Sequence, residues 1–191
     1  MEGTKTKYIL VALVAAIIVV ASIGLVLMTN ESQGITALEG NEIANSLAKE
    51  WNESAELVYV MGMGEKYSDG RCEKWGYTYT NNNPDMNLSK GFALTICANG
   101  SIYSGELEHP PSPSIINDWI IDSDTAVEIA MSDSSIRDFM RTYYSEYLEY
   151  FTLTAGGWRI IWNDWGFMDD PHNIAVRIDA TSGEITDVYN P

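Results

Sequence analysis

Positive charge is scarce in this chain: 11 lysines and arginines stand against 27 aspartates and glutamates, a formal net charge of −16 over 191 residues. Beyond Asn30 the body holds 26 acidic residues (27 less Glu2) against 9 basic ones (11 less Lys5 and Lys7), a net of −17. Such a surface repels nucleic acid and anionic lipid, which removes both as partners for the body. Histidine is almost as rare, with His109 beside a proline cluster and His172 in "MDDPHN". There is no Gly-rich phosphate loop, no G-x-S-x-G elbow and no H-E-x-x-H pair, so no catalytic residue and no cofactor is assigned and the chain does not read as an enzyme. Carboxylates cluster at Asp122 and Asp124 with Asp118 nearby, and "DDPH" covers Asp169 to His172. Neither cluster has the spacing or the glycine of an EF-hand, so both read as caps or solvated loops and no metal site is assigned. With two cysteines in all, a zinc site and a C-x-x-C dithiol are excluded as well.

One long apolar run is present. Tyr8 to Met28, "YILVALVAAIIVVASIGLVLM", carries no charge and is long enough to cross a bilayer as a helix. It exceeds an ordinary secretory h-region and ends in "LVLMTNES" without a small-x-small cleavage site, which favours an uncleaved anchor. Lys5 and Lys7 before it and Glu31 after it place the tail, residues 1–7, in the cytoplasm and the body outside. The expected localisation is therefore a single-pass cell-membrane protein with an extracytoplasmic C-terminal body. Residues 29–36 form a linker. Four N-x-S/T sequons, at Asn30, Asn52, Asn87 and Asn99, accord weakly with that address.

An oxidising exterior makes a Cys72–Cys97 disulfide the default. In "EKWGYTYT" Trp75, Tyr77 and Tyr79 share one face, and in "FALTICA" Phe92, Leu94 and Ile96 do the same. Placing Cys72 opposite Cys97 sets Trp75 against Leu94 and Tyr77 against Phe92 in an antiparallel pair. Closing that loop would contribute about 3 kcal/mol.

The body says one thing twice. Residues 37–106 open with a helix, "TALEGNEIANSLAKEW", in which Thr36 and Glu39 fit a capping box and Ile43, Ala44, Leu47, Ala48 and Trp51 form a stripe. Four strand-like runs follow, and the last two join at Asn99-Gly100, which fits a two-residue turn. Residues 122–191 repeat the order: a helix capped by Ser123 or Thr125, a second helical stretch with Ile136, Phe139, Met140, Tyr143 and Tyr147 on one side, then four strand-like runs. The final hairpin, Thr181 to Gly183, fits a three-residue loop with a left-handed glycine. Between the units, residues 107–121 form a connector stiffened by Pro110, Pro111 and Pro113. The expected fold is α+β: an N-terminal transmembrane helix at 8–28 and two tandem units, each a helix on an antiparallel sheet.

In the second unit "SDTAVEIA", "GWRIIWND" and "NIAVRIDATSGEITDV" resemble the helix, central strands and closing hairpin of PepSY domains. The resemblance covers residues 122–190 and, more faintly, 37–106, where Asn99-Gly100-Ser101 replaces the acidic pair. It implies a small α+β unit on secreted or membrane-anchored proteins, some of which accompany peptidases. It brings no catalytic residues, and Asp179, Gly183 and Glu184 match the family's signature as hairpin geometry.

Two functions follow as expectations. In the first, the body is an extracytoplasmic binding or regulatory module that engages an envelope protein, with restraint of a peptidase as one form of that role and the run "EYFTLT" as an edge strand open to strand addition. The alternative is a surface receptor for a small ligand or glycan, lined by Trp165, Phe167 and Trp119, whose rigid rings offer contact area at low entropic cost.

Overall fold

The structure is a computed structural model that describes residues 34–81, 90–108, 114–143, 148–163 and 172–189. The apolar segment 8–28, His109, Trp165, Phe167 and Asp169 lie outside the described residues, and among those described no helix is long and apolar enough to cross a membrane.

Helix α1, Ala37–Trp51, begins where the sequence says it should. Thr36 Oγ1 accepts from the Glu39 amide at 3.3 Å while the Glu39 carboxylate accepts from the Thr36 amide at 2.8 Å, so the capping box is complete. Ala44 and Ala48 are buried, but Ile43 at the margin of the predicted stripe is 44% exposed. Four strands follow: β1 Ala55–Lys66, β2 Cys72–Asn81, β3 Gly91–Cys97 and β4 Ile102–Leu107. The second half has helices α2, Ser123–Ser132, and α3, Ser134–Tyr143, then β5 Leu148–Thr154, β6 Gly157–Asn163, β7 Asn173–Ile178 and β8 Ile185–Tyr189. The α+β order of both halves is as expected.

The two halves do not keep separate sheets. All eight strands form one antiparallel sheet in the order β4-β3-β2-β1-β5-β6-β7-β8, joined where β1 meets β5 through Val60↔Leu153 and Met61↔Thr152. β5 is therefore an interior strand, which corrects its assignment as an edge. Among the described residues the edge strands are β4 and β8.

The order 4-3-2-1 followed by 5-6-7-8 is that of two repeats related by a two-fold axis through the Met61–Thr152 pair, and details repeat with it. The register of β1 slips between Leu57 and Tyr59, and that of β5 slips between Leu148 and Tyr150. Trp75 on β2 donates its indole N–H to the Ile35 carbonyl at 2.8 Å, and Trp158 on β6 donates to the Ile121 carbonyl at 2.7 Å. Each acceptor immediately precedes the N-cap of its repeat's first helix. The same tether thus fixes helix to sheet in both halves.

One buried cluster spans both repeats. Trp75, Tyr77 and Tyr79 of β2, Leu94 and Ile96 of β3, Trp158, Ile160 and Trp162 of β6, and Ile174, Val176 and Ile178 of β7 all point into it, as their alternation predicts. Residues of all three helices complete it, including Ala44, Ala126, Ile136 and Phe139. At its centre Trp75 and Trp158 meet edge to face with ring centroids 6.1 Å apart, and Phe151 lies 5.4 and 4.9 Å from them. Such pairs add about 0.5–1.5 kcal/mol each beyond area burial, and they do so across the repeat boundary.

Several local expectations are corrected. Lys74, not Cys72, lies opposite Cys97, and Trp75 faces Ile96 rather than Leu94. This register is two residues from the expected one, so the apolar faces still match while the cysteines do not. An irregularity between Met63 and Lys66 pairs Cys72 with Lys66 and with Ile35 and turns its sulfur toward Gly62 in the core. Alternation puts Cys97 with Thr95 on the other face. Both thiols are free and buried, so the two cysteines are not disulfide-bonded in the structure. The hairpins are each one residue longer than expected. Cys97 bonds to Ser101 around Ala98, Asn99 and Gly100, and Asp179 bonds to Glu184 around residues 180–183. The cap of α2 is Asp122, with Ser123 as the first helical residue.

Candidate functional site

Among the described residues all three helices pack on one face of the sheet, and no helix covers the other. The register defines what this second face displays. One row runs Met61, Thr152, Arg159, Arg177 and Asp187 on β1, β5, β6, β7 and β8. In the first repeat the same row continues as Gly76, Thr95 and Tyr103 on β2, β3 and β4. Arg159 and Arg177 therefore occupy places that the sister repeat fills with Gly76 and Thr95, and the fold does not require them.

A groove of about 410 Å³ opens on this face over the second repeat. Tyr59, Tyr150, Thr152, Arg159, Ile161 and Arg177 line it. Tyr59 and Tyr150 each follow the duplicated register slip and are two-fold mates, so the same local geometry presents both phenols beside the central Met61–Thr152 pair. Tyr150 is 50% exposed, whereas Tyr59 is partly buried and donates to Met61 Sδ at 3.6 Å. Burial, and then the neighbouring Tyr150, push the Tyr59 phenol above its ordinary value.

The electrostatics are unusual for so acidic a chain. Arg159 and Arg177 lie directly opposite each other on adjacent strands. Like charges directly opposite each other on neighbouring strands disfavour the pairing. The other arginines are engaged: Arg71 with Asp69, Arg141 with Asp138, and Arg137 with the carbonyls of Met131 and Ser132. Among the described residues neither Arg159 nor Arg177 makes an ion pair or side-chain hydrogen bond. Asp187 is the carboxylate opposite Arg177 but stays outside salt-bridge range.

Of the site residues expected from sequence, Trp119 is committed elsewhere. Its indole N–H donates to the Ile121 carbonyl at 2.7 Å, and its ring meets Trp158 edge to face at 5.7 Å, which makes it part of the packing around the second tether. Trp165 and Phe167 lie outside the described residues. Asp179, Gly183 and Glu184 build the last hairpin as expected. Asp179 Oδ1 accepts from the amides of Thr181 and Ser182 at 2.9 and 2.7 Å, Gly183 takes φ +76, and the Asp179 amide donates to the Glu184 carbonyl. The Ser182 and Thr181 amides hold the Asp179 carboxyl below its ordinary range. Asp122 and Asp124 serve helix ends, Asp118 presents its carbonyl to Thr181 Oγ1, and His172 stacks on Tyr143 at 4.3 Å. Among the described residues no cluster has the makings of a metal site.

Arg159, Arg177, Tyr59 and Tyr150 were missed by sequence reasoning. A signal existed: each arginine falls on the polar phase of a strand whose other residues are uncharged, in a chain with few cations. Only the pairing of β6 with β7 and of β1 with β5 brings them together. No protein-family model, curated protein or solved structure matches the chain.

Proposed function

We propose that this chain is a membrane-anchored extracytoplasmic binding module, PepSY-like in both halves, that receives its ligand on the helix-free face of the sheet. The observation that carries the reading is the groove at the repeat junction, flanked by two-fold-related tyrosines and floored by arginines that make no ion pair among the described residues. A groove of this volume suits a small ligand, and cations left without partners beside aromatic rings are what a recognition site holds before its ligand arrives. The PepSY likeness is supported by the helix-then-four-strands order of both repeats and by the Asp179–Gly183–Glu184 hairpin. Of the aromatic surface expected from sequence, Trp119 packs against Trp158, while Trp165 and Phe167 lie outside the described residues.

A second reading, docking of an envelope protein such as a peptidase, is favoured by one observation: edge strand β4 leaves Ile102 and Tyr103 45% and 64% exposed, open to strand addition. Hydroxyl-radical footprinting of the full chain in its native membrane, compared with the purified chain in neutral detergent, separates the two. Protection of Tyr59 and Tyr150 is expected. Protection confined to Ile102 and Tyr103 would install the protein-docking reading, and protection of neither would remove both.

A further inference from the structure

The groove's chemistry narrows what it takes, on the reading that the helix-free face is the binding surface. We propose that Arg159 and Arg177 clamp a single negatively charged oxyanion, a carboxylate or sulfate ester, carried on a ring-sized body that lies between Tyr59 and Tyr150.

Four observations support this. The two guanidinium groups project from directly opposed positions of β6 and β7, one strand spacing apart, so one acid group lies within reach of both. The guanidinium fork matches the two oxygens of a carboxylate or sulfate geometrically, which a lysine ammonium would not do. The charge count selects a monoanion: Arg159 and Arg177 contribute two positive charges and Asp187, opposite Arg177, removes one. The row is left with a net of one positive charge, which a carboxylate balances and a phosphate dianion overfills. Beside Thr152, Thr154 and the turn at Gly156 and Gly157, the wall includes Tyr59, Tyr150 and Ile161, and this mixture of aromatic and hydroxyl-bearing surface suits the body of a sugar acid or a similar ring.

The net charge of −16 does not forbid this. At physiological ionic strength the screening length is about 8 Å, so an anion at the clamp responds chiefly to the two arginines and to Asp187 rather than to distant carboxylates. The sister repeat supplies the comparison. The same sheet rows fold with Gly76 and Thr95 there, so the arginines answer to a ligand and not to the architecture.

The test is calorimetric titration of the full chain in neutral detergent with four probes: glucuronate, glucose 6-sulfate, glucose and inorganic phosphate. Glucuronate or glucose 6-sulfate is expected to bind, which of the two showing whether the acid is a carboxylate or a sulfate. Glucose should show no binding, and phosphate should bind at least tenfold more weakly. Arg177→Thr, which installs the sister repeat's residue, is expected to weaken binding at least tenfold while leaving the melting temperature unchanged or higher. Arg159→Lys should keep the charge and lose most of the affinity. Failure of both ring acids to bind, equal binding by Arg177→Thr, or a lowered melting temperature in that variant would overturn the proposal, the last by making the arginines structural. An acidic peptide that bound while both ring acids failed would also overturn it. If the probes fail while the footprint still protects Tyr59 and Tyr150, the clamp falls and the binding face stands.

Discussion

Single side chains here are held by contacts that leave little tolerance, and the buried hydroxyls and thiol show it most clearly. Tyr77 donates to the Ala37 carbonyl at 2.7 Å, directly against Gly40 of α1. Helix propensity alone would make Gly40→Ala stabilising by about 1 kcal/mol. A β-carbon at Gly40 would collide with the Tyr77 hydroxyl oxygen, so the substitution is expected to destabilise by about 1–3 kcal/mol instead. Tyr77→Phe removes the obstructing atom, and in that background Gly40→Ala should cost much less; additive urea-unfolding free energies would refute the contact. The buried Cys72 is pushed by desolvation from 9.0 to about 12, and burial raises the phenols of Tyr77 and Tyr79 as well. Below pH 9 the folded and unfolded chains both hold the thiol proton; above it the unfolded chain releases the proton first, so folding stability falls as pH rises. Cys72 alone should account for a loss of about 2 kcal/mol by pH 10.5, with the tyrosines adding to it. Urea midpoints at pH 8 and 10.5 measure this, and an unchanged midpoint would show that the thiol is not sequestered. Alternation made the inward phase of Trp75, Tyr77, Tyr79, Trp158, Ile160 and Trp162 legible in the sequence. The free state of Cys72 was not legible, because an irregularity in β1 two strand positions away decides which way its sulfur turns.

Among elements, the helix starts were readable and their mutual support was not. Thr36 and Glu39 announced α1, yet two further amides of that helix are bonded from the other repeat. Asp122 Oδ1 accepts from the Leu38 amide at 2.9 Å and from Ser123 at 2.6 Å, and Ser123 Oγ accepts from the Ala37 amide at 3.0 Å. One carboxylate therefore serves the first turns of α1 and α2 together, a link across 84 residues that no local motif encodes. Asp122→Ala is expected to cost about 2–3 kcal/mol, about twice a usual N-cap loss, whereas Asp124→Ala, which removes a contact only to its own neighbour Thr125, should cost under about 1 kcal/mol. Equal costs in chemical denaturation would dismiss the shared cap. The hairpins teach a similar lesson. Gly183 takes the left-handed position expected of it, at φ +76, and Gly100 takes one too, at φ +83, in a turn longer than expected. Loop length depends on which flanking residues close the ladder, and that is set by the register of the whole strand pair.

At the scale of the molecule, the duplication was visible as a repeated order of elements. Its consequence, one sheet with β1 and β5 at its centre, was not visible, because either strand alone reads as well for an edge as for an interior position. That pairing creates the site: it brings Tyr59 and Tyr150 to one groove and joins the arginine-bearing half of the open face to the half that lacks them. It also unites the core, since Trp75 of one repeat and Trp158 of the other are in contact. The single core and the groove both depend on the junction of β1 with β5. Amide hydrogen exchange of the full chain in neutral detergent tests it most directly. The amides of residues 59–62 and 151–153 are expected to exchange as slowly as those of β2 and β6, by global unfolding alone. Fast exchange at these residues with slow exchange in β2 and β6 would mean two separate sheets and no groove between the tyrosines, contradicting the account.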